Sequence, residues 1–165
     1  MVKDYHNKIQ CILSSIVDQN KDKFRKGFCG NKKIDINHPT KKNRSIIYYP
    51  DYVIISKNGN YFIFQILDSQ GDMKAYTIAN VIEAYLSEQV KKLYFVIKDN
   101  KTRDEVIEIT ETILSKIEDI TRGSVRSPLK VFYITVSDSE SDKAIKKILE
   151  DTLIGISNEV DKRFD

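Results

Sequence analysis

The first segment of the chain repeats its apolar positions with the period of a helix. We predict an amphipathic helix over residues 3–26, which Gly27 and Gly30 bring to an end. Its apolar stripe consists of Ile9, Ile12, Leu13, Ile16, Val17 and Phe24. The basic stretch that follows, through Arg44, is predicted to be a loop with one short strand around residues 33–36.

A β-hairpin is the clearest local prediction. Residues 46–49 and 51–56 and then residues 61–67 are β-branched and aromatic, and Asn58-Gly59 lies between them. Asn-Gly favours a two-residue turn because both central positions of a type I′ turn need positive φ. Pro50 cannot donate a ladder hydrogen bond, so it is predicted at a bulge or strand start, which leaves Asp51 at an irregular point of the sheet.

The second half of the chain alternates helical and strand patterns. We predict a helix after Gly71-Asp72, a buried strand at 93–97, a helix at 103–120, a buried strand at 131–136 and a last helix capped by Ser141. The order α-β-β-β-α-β-α-β-α predicts an α/β fold, with a mixed sheet flanked by helices on both faces. The 165 residues fit one domain, residues 1–165.

Composition excludes several classes of protein. With 41% hydrophobic and 31% charged residues, the chain has no apolar run near the roughly 20 residues that cross a bilayer. The first residues lack the apolar core of a secretory signal, so we expect an intracellular, cytoplasmic protein that does not bind membranes. The six glycines are too scattered for a phosphate-binding loop, and no serine-protease elbow is present.

The cysteines and histidines give one weak metal hypothesis. Cys11 and Cys29, with His6 and His38, could supply four zinc ligands, but their spacing matches no zinc finger or ribbon. We favour two reduced thiols and two surface histidines.

Positive charge is concentrated in one segment. Residues 21–44 contain nine basic and two acidic side chains, a net charge of +7, so the rest of the +3 chain carries −4. Such a segment suits contacts with a phosphate backbone, although charged runs are also common in solvated loops. The candidate DNA-binding residues are Lys32, Lys33, Lys41, Lys42 and Arg44.

Pro50-Asp51, the Asn58-Gly59 turn and the strand at 61–67 resemble the core of the restriction-endonuclease-like, or PD-(D/E)xK, superfamily. The resemblance covers residues 4–99 and implies an α-β-β-β-α-β core, here followed by an added α-β-α. In that family an aspartate and a second acid hold Mg²⁺, and a lysine two residues later helps to activate water. Aligned by the turn, Gln65 stands for the second acid and Leu67 for the lysine, which implies a degenerate site.

A second register keeps two acids. If Asn58-Gly59 is a strict two-residue turn, Asp51 pairs with Ile66 and shares a sheet face with Asp68. Asp51 and Asp68 would then be the Mg²⁺ ligands, with Gln70 in place of the lysine. Alternatively, residues 68–71 are a polar loop that leaves the sheet.

Two further residues bear on catalysis. Lys74 could supply a migrated positive charge, whereas the first helix lacks the glutamate that active relatives carry.

Three functional hypotheses follow. We favour a non-catalytic protein of nuclease-like fold that needs no cofactor and binds nucleic acid or a protein partner, because an enzyme should retain a complete acid and base constellation. The alternative is a Mg²⁺-dependent DNA endonuclease that uses Asp51, Gln65, Asp68, Gln70 and Lys74. A third is a subunit that forms a homodimer through a sheet edge or a helix face.

Overall fold

The computed structural model describes residues 4–30, 34–37, 45–48, 50–68, 73–87, 89–120 and 129–156. The elements in chain order are α1 (Tyr5–Gln19), β1 (Phe24–Cys29), β2 (Ile34–Asn37), β3 (Ser45–Tyr48), β4 (Tyr52–Ser56), β5 (Tyr61–Leu67), α2 (Met73–Leu86), β6 (Val90–Ile97), α3 (Asn100–Ile120), β7 (Lys130–Thr135) and α4 (Asp142–Glu150), which a π-helical turn (Asp151–Ile156) extends.

The main sheet has five strands in the order β1-β4-β5-β6-β7. The pairs β1–β4 and β4–β5 are antiparallel, and the pairs β5–β6 and β6–β7 are parallel. Apolar side chains from α1 and α4 pack on one face of the sheet, and those from α2 and α3 pack on the other. The predicted α/β fold with a mixed sheet and helices on both faces is confirmed.

The first helix is shorter than the sequence pattern predicted. It ends at Gln19 instead of continuing to residue 26, because Asn20 closes it by donating its backbone N–H to Val17 O. Phe24 then begins β1 and still packs in the same apolar cluster as the α1 stripe. Phe24 therefore matches the apolar period of the helix in the sequence because it packs in the same core, although it belongs to a strand.

Because α1 ends early, residues 24–29 form a strand of the main sheet. The sequence pattern predicted helix at residues 24–26, whereas β1 (Phe24–Cys29) is an edge strand that pairs with β4. The strand near residues 33–36 exists as β2, which pairs with β3 in a separate two-stranded sheet. The strand predicted at residues 46–49 is therefore β3, and it lies outside the main sheet.

The β4–β5 hairpin is confirmed, but its turn is one residue longer than predicted. Ser56 N–H donates to Asn60 O at 2.9 Å, so Lys57, Asn58 and Gly59 form a three-residue loop. Gly59 has φ +82°, a value that glycine adopts without strain. The register that pairs Tyr52 with Phe64 places Asp51 opposite Gln65. The alternative register, with Asp51 opposite Ile66, is therefore wrong.

Later elements agree with the sequence pattern. Ser141 caps α4, since its hydroxyl accepts the Ala144 N–H at 3.2 Å. Asp99 caps α3 in the same way, with its carboxylate accepting the Thr102 N–H at 2.7 Å, and this moves the start of that helix from residue 103 to Asn100. None of the helices in the described part of the chain has the length and apolarity required to cross a membrane.

Candidate functional site

Asp51 lies just before β4, at the edge of the sheet where β5 ends. Its Oδ2 accepts the backbone N–H of Ile66 at 2.7 Å. Its own carbonyl oxygen accepts two donors, Gln10 Nε2 at 2.8 Å and the Gly30 N–H at 3.1 Å. These bonds join α1, β1 and β5 to one residue, so Asp51 has a structural role whatever else it does.

Gln65 occupies the position of the second acid and is fully buried. The Tyr76 hydroxyl, from α2, lies 3.2 Å from Gln65 Oε1 and 3.3 Å from Asp51 Oδ2. A phenol has a single proton to donate, so it bonds one of these oxygens at a time. Tyr76 therefore links the aspartate and the glutamine, although the residue is 40% exposed.

His6, near the start of α1, lies between the two aspartates. Its Nε2 is 3.7 Å from Asp51 Oδ2, and its Nδ1 is 3.7 Å from Asp68 Oδ2. A protonated imidazole would form an ion pair with each carboxylate. The structure thus brings Asp51, Gln65 and Asp68 together around His6 and Tyr76, and we call these five residues the Asp51 cluster.

Burial raises the pKa of Asp51 above its ordinary value. The Ile66 N–H, His6 and Tyr76 oppose this shift, and the negative charge of Asp68 adds to it. Burial and the nearby Asp51 carboxylate also raise the pKa of Tyr76. The phenol of Tyr76 is therefore a hydrogen-bond donor at neutral pH and not a base.

Leu67 occupies the position of the family's lysine, and the side chains around it are apolar as well. Leu67 is 2% exposed and packs in the core cluster of α2 and α3. Lys74 lies on the first turn of α2, is exposed and makes no salt bridge within the described residues. Gln70 lies outside the described residues. His6 and the Asp68 carboxylate are the groups beside Asp51 that could accept a proton among the described residues.

The Asp51 cluster is poorly suited to Mg²⁺ as it stands. Mg²⁺ takes oxygen ligands at about 2.0–2.1 Å in octahedral geometry. Here the two carboxylates face different nitrogens of the His6 ring, and Asp51 Oδ2 already accepts a backbone N–H. Among the residues that the structure describes, no group of three or more histidines, cysteines and acids could hold a metal ion. A metal would require His6 to move.

The zinc hypothesis places its ligands in different surroundings. Cys11 and Cys29 are exposed and form no disulfide, whereas His6 contacts the aspartates. The fourth ligand, His38, lies outside the described residues.

The basic segment can be followed only in its first part. Four basic side chains are exposed on the turn after α1 and on the edge strand β1, namely Lys21, Lys23, Arg25 and Lys26, and the acidic Asp22 is exposed among them. Lys57 joins them from the hairpin loop, because its N–H donates to Lys23 O at 3.3 Å and its carbonyl accepts Arg25 Nη2 at 3.2 Å. We call these five residues the basic edge. The candidates Lys32, Lys33, Lys41, Lys42 and Arg44 lie outside the described residues.

Sequence reasoning missed His6 and Tyr76 as members of the site. His6 is 45 positions from Asp51 in the sequence, and Tyr76 is 25 positions away. No spacing rule joins such distant residues, because they meet only where α1 and α2, on opposite faces of the sheet, reach the same edge. A polar residue in the first turn of each helix was the only signal available.

No protein-family model, curated protein or solved structure matches this chain.

Proposed function

We propose that this chain is a non-catalytic domain of restriction-endonuclease-like architecture that binds nucleic acid. The observation that carries the proposal is the state of Gln65 and Leu67. Gln65 is fully buried and bonded to Tyr76, while Leu67 is a core side chain. Hydrolysis of a phosphodiester needs a metal held by acids and a group that activates water, and this pair of residues supplies neither.

The order of elements supports the architectural part of this proposal. A helix, three antiparallel strands, a second helix and a parallel strand correspond to α1, β1-β4-β5, α2 and β6. Asp51 precedes β4, the central strand of the antiparallel three. The family's aspartate belongs at this position, which supports the proposed architecture.

The basic edge supports the nucleic-acid part. Four cations of the 21–44 segment are exposed there, and the hairpin loop adds Lys57 to them through backbone contacts. Clustered lysine and arginine side chains bind phosphates and release condensed counterions, which makes such binding depend strongly on salt. The contact would be with the backbone and would carry little sequence preference.

A binding titration tests this proposal. Anisotropy of labelled single-stranded and duplex DNA should show affinity that falls steeply with salt. Replacing Lys21, Lys23, Arg25 and Lys26 by Gln should weaken binding and reduce the slope of log K against log salt by about 0.9 for each phosphate that the variant no longer neutralises. The matched control replaces four exposed lysines elsewhere by Gln, namely Lys101, Lys116, Lys143 and Lys147. Equal losses of affinity in the two variants, or no binding by the unmodified protein, would reject the proposal.

One observation favours the alternative, a Mg²⁺-dependent DNA endonuclease. Asp51 and Asp68 both face His6, so two carboxylates converge on one side chain. In this alternative His6 swings away, the aspartates hold Mg²⁺, Gln65 or Gln70 orients water and Lys74 supplies positive charge. Mn²⁺-dependent cleavage that is lost in both Asp51→Ala and Asp68→Ala would establish it.

A further inference from the structure

The outer face of α2 is apolar although it is exposed. Ile78 is 40% exposed, Ile82 39% and Leu86 50%, and Ala75 and Ala79 are exposed beside them. At 100° per residue these five positions fall within an arc of about 100° on the side of the helix that faces away from the sheet. We call them the α2 stripe. A contiguous apolar patch of this kind marks an interaction surface more often than a solvated one.

The neighbouring helix shows that this apolarity is a property of α2 and not of this face of the sheet. α3 packs on the same face beside α2. It carries nine charged residues in 21 positions, whereas α2 carries only Lys74 and Glu83 in 14. The charge content of α3 is typical of a helix exposed to solvent, whereas that of α2 is typical of a helix that packs against another surface.

The spacing of the α2 stripe fits a second copy of itself. When two such helices pack antiparallel about a two-fold axis near Ala79, position n of one helix lies opposite position 159 or 160 minus n of the other. Ile78 then meets the partner's Ile82, and Ala75 lies within two residues of the partner's Leu86 along the helix. Ala79 lies close to its own copy, where a small side chain allows the helices to approach.

The charges of α2 favour the same arrangement. A two-fold axis perpendicular to the two antiparallel helices brings each side of the α2 stripe against the same side of the stripe on the other copy. Lys74 and Tyr85 share one flank, so Lys74 would lie over the ring of the partner's Tyr85. At 1.5 Å per residue, like charges stay apart along the helix axis, with about 17 Å between the two lysines and about 10 Å between the two Glu83 positions. A parallel pairing would instead place the lysines side by side.

We infer that two copies of this chain associate through the α2 stripe, with their α2 helices antiparallel about a two-fold axis near Ala79. This inference does not depend on nucleic-acid binding or on the state of the Asp51 cluster. The contact buries mainly aliphatic side chains, whose removal from water drives association. Since a single helix face is small beside a standard protein interface, the dimer should dissociate measurably on dilution.

Sedimentation velocity over a wide concentration range tests the inference. The unmodified protein should pass from monomer to dimer, and Ile82→Glu should raise the dissociation constant at least about tenfold. Ser115→Glu, which adds the same charge at an exposed position on α3, should leave it unchanged. A protein that stays monomeric at the highest concentrations, or a dimer that tolerates Ile82→Glu, would overturn the inference.

A cross-link tests the orientation. In a Cys11→Ser, Cys29→Ser background, Ala79→Cys should form an intermolecular disulfide under mild oxidation, because the two copies of residue 79 meet at the axis. Leu86→Cys in the same background should remain uncross-linked, because an antiparallel pair holds the two copies of residue 86 apart, whereas a parallel pair would bring them together. Equal cross-linking at both positions would reject the antiparallel arrangement. Purification of a stable complex with another protein on the α2 stripe would reject the second copy as its occupant.

Discussion

The Ile66 backbone N–H donates to Asp51 Oδ2 at 2.7 Å, and this bond completes the hydrogen bonding of β5 where its partner strand has begun to diverge. The register of β4 and β5 ends with the Tyr52–Phe64 pair, two residues before Ile66, so the Ile66 N–H lies beyond that ladder. The carboxylate of Asp51 thus replaces a missing ladder contact. The aspartate that resembles a metal ligand in the sequence therefore stabilises the sheet through a hydrogen bond.

Asp51→Ala should therefore destabilise the fold. The Ile66 N–H would lose its acceptor in a largely buried setting, which costs about 1–3 kcal/mol. Urea unfolding followed by circular dichroism measures this destabilisation. Asp51→Asn keeps an acceptor oxygen and should cost less than the alanine variant. If Asp51→Ala were as stable as the unmodified protein, the proposed stabilisation of the sheet by the Asp51 carboxylate would be wrong.

The pH dependence of stability should reveal the raised pKa of Asp51. Between the ordinary aspartate pKa of about 3.9 and the raised value, the folded protein binds more protons than the unfolded chain does. The free energy of unfolding should fall as pH rises through this interval, and then the contribution of Asp51 becomes constant. Asp51→Asn does not titrate, so the stability of the unmodified protein relative to this variant should decline over the same interval. An unchanging difference from about pH 4 to about pH 8 would contradict the prediction.

The purified protein should show little or no Mg²⁺- or Mn²⁺-dependent cleavage of single-stranded, duplex or branched DNA, because Gln65 and Leu67 remove an anionic ligand and the usual lysine. Gln65→Glu should strengthen Mn²⁺ binding, measured by calorimetry, since it places a second carboxylate beside Asp51. The control is Gln65→Met, which keeps the side-chain length without charge. Unaltered Mn²⁺ affinity in Gln65→Glu would mean that the Asp51 cluster cannot be opened to a metal.

Restoring the family's lysine should be costly for this chain. Leu67→Lys places an ammonium group among the apolar side chains of α2 and α3, where Leu67 is 2% exposed. The reduced apolar burial and the desolvation of the charge should together cost at least about 3 kcal/mol. Leu67→Met, which conserves volume, should cost less than about 1.5 kcal/mol. Denaturant unfolding of both variants compares them, and a stable Leu67→Lys protein would show that residue 67 can turn out of the core.

Local chemistry was sufficient for several of the regular elements. Asn58-Gly59 predicted the hairpin because few residues accept positive φ, and Ser141 predicted the cap of α4 because its hydroxyl replaces a missing intrahelical partner. The continuous apolar run in β6 predicted a buried strand correctly, whereas β7, predicted to be buried as well, is an edge strand whose residues are mostly half-buried. Signals of this kind lie within a few residues of one another, so the sequence displays them directly.

Tertiary structure decided what depends on contacts between distant segments. Phe24 matched the stripe of α1 but belongs to β1, because a core side chain shows the same apolar character in either element. The hairpin loop has three residues, whereas the alternative register assumed two, so Asp51 lies opposite Gln65 and not Ile66. Residue propensities do not resolve a shift of one residue in strand register. The sequence by itself identified the residues of the sheet edge, Asp51, Gln65 and Asp68, whereas only the packing of α1 and α2 on opposite faces of the sheet brought His6 and Tyr76 to them.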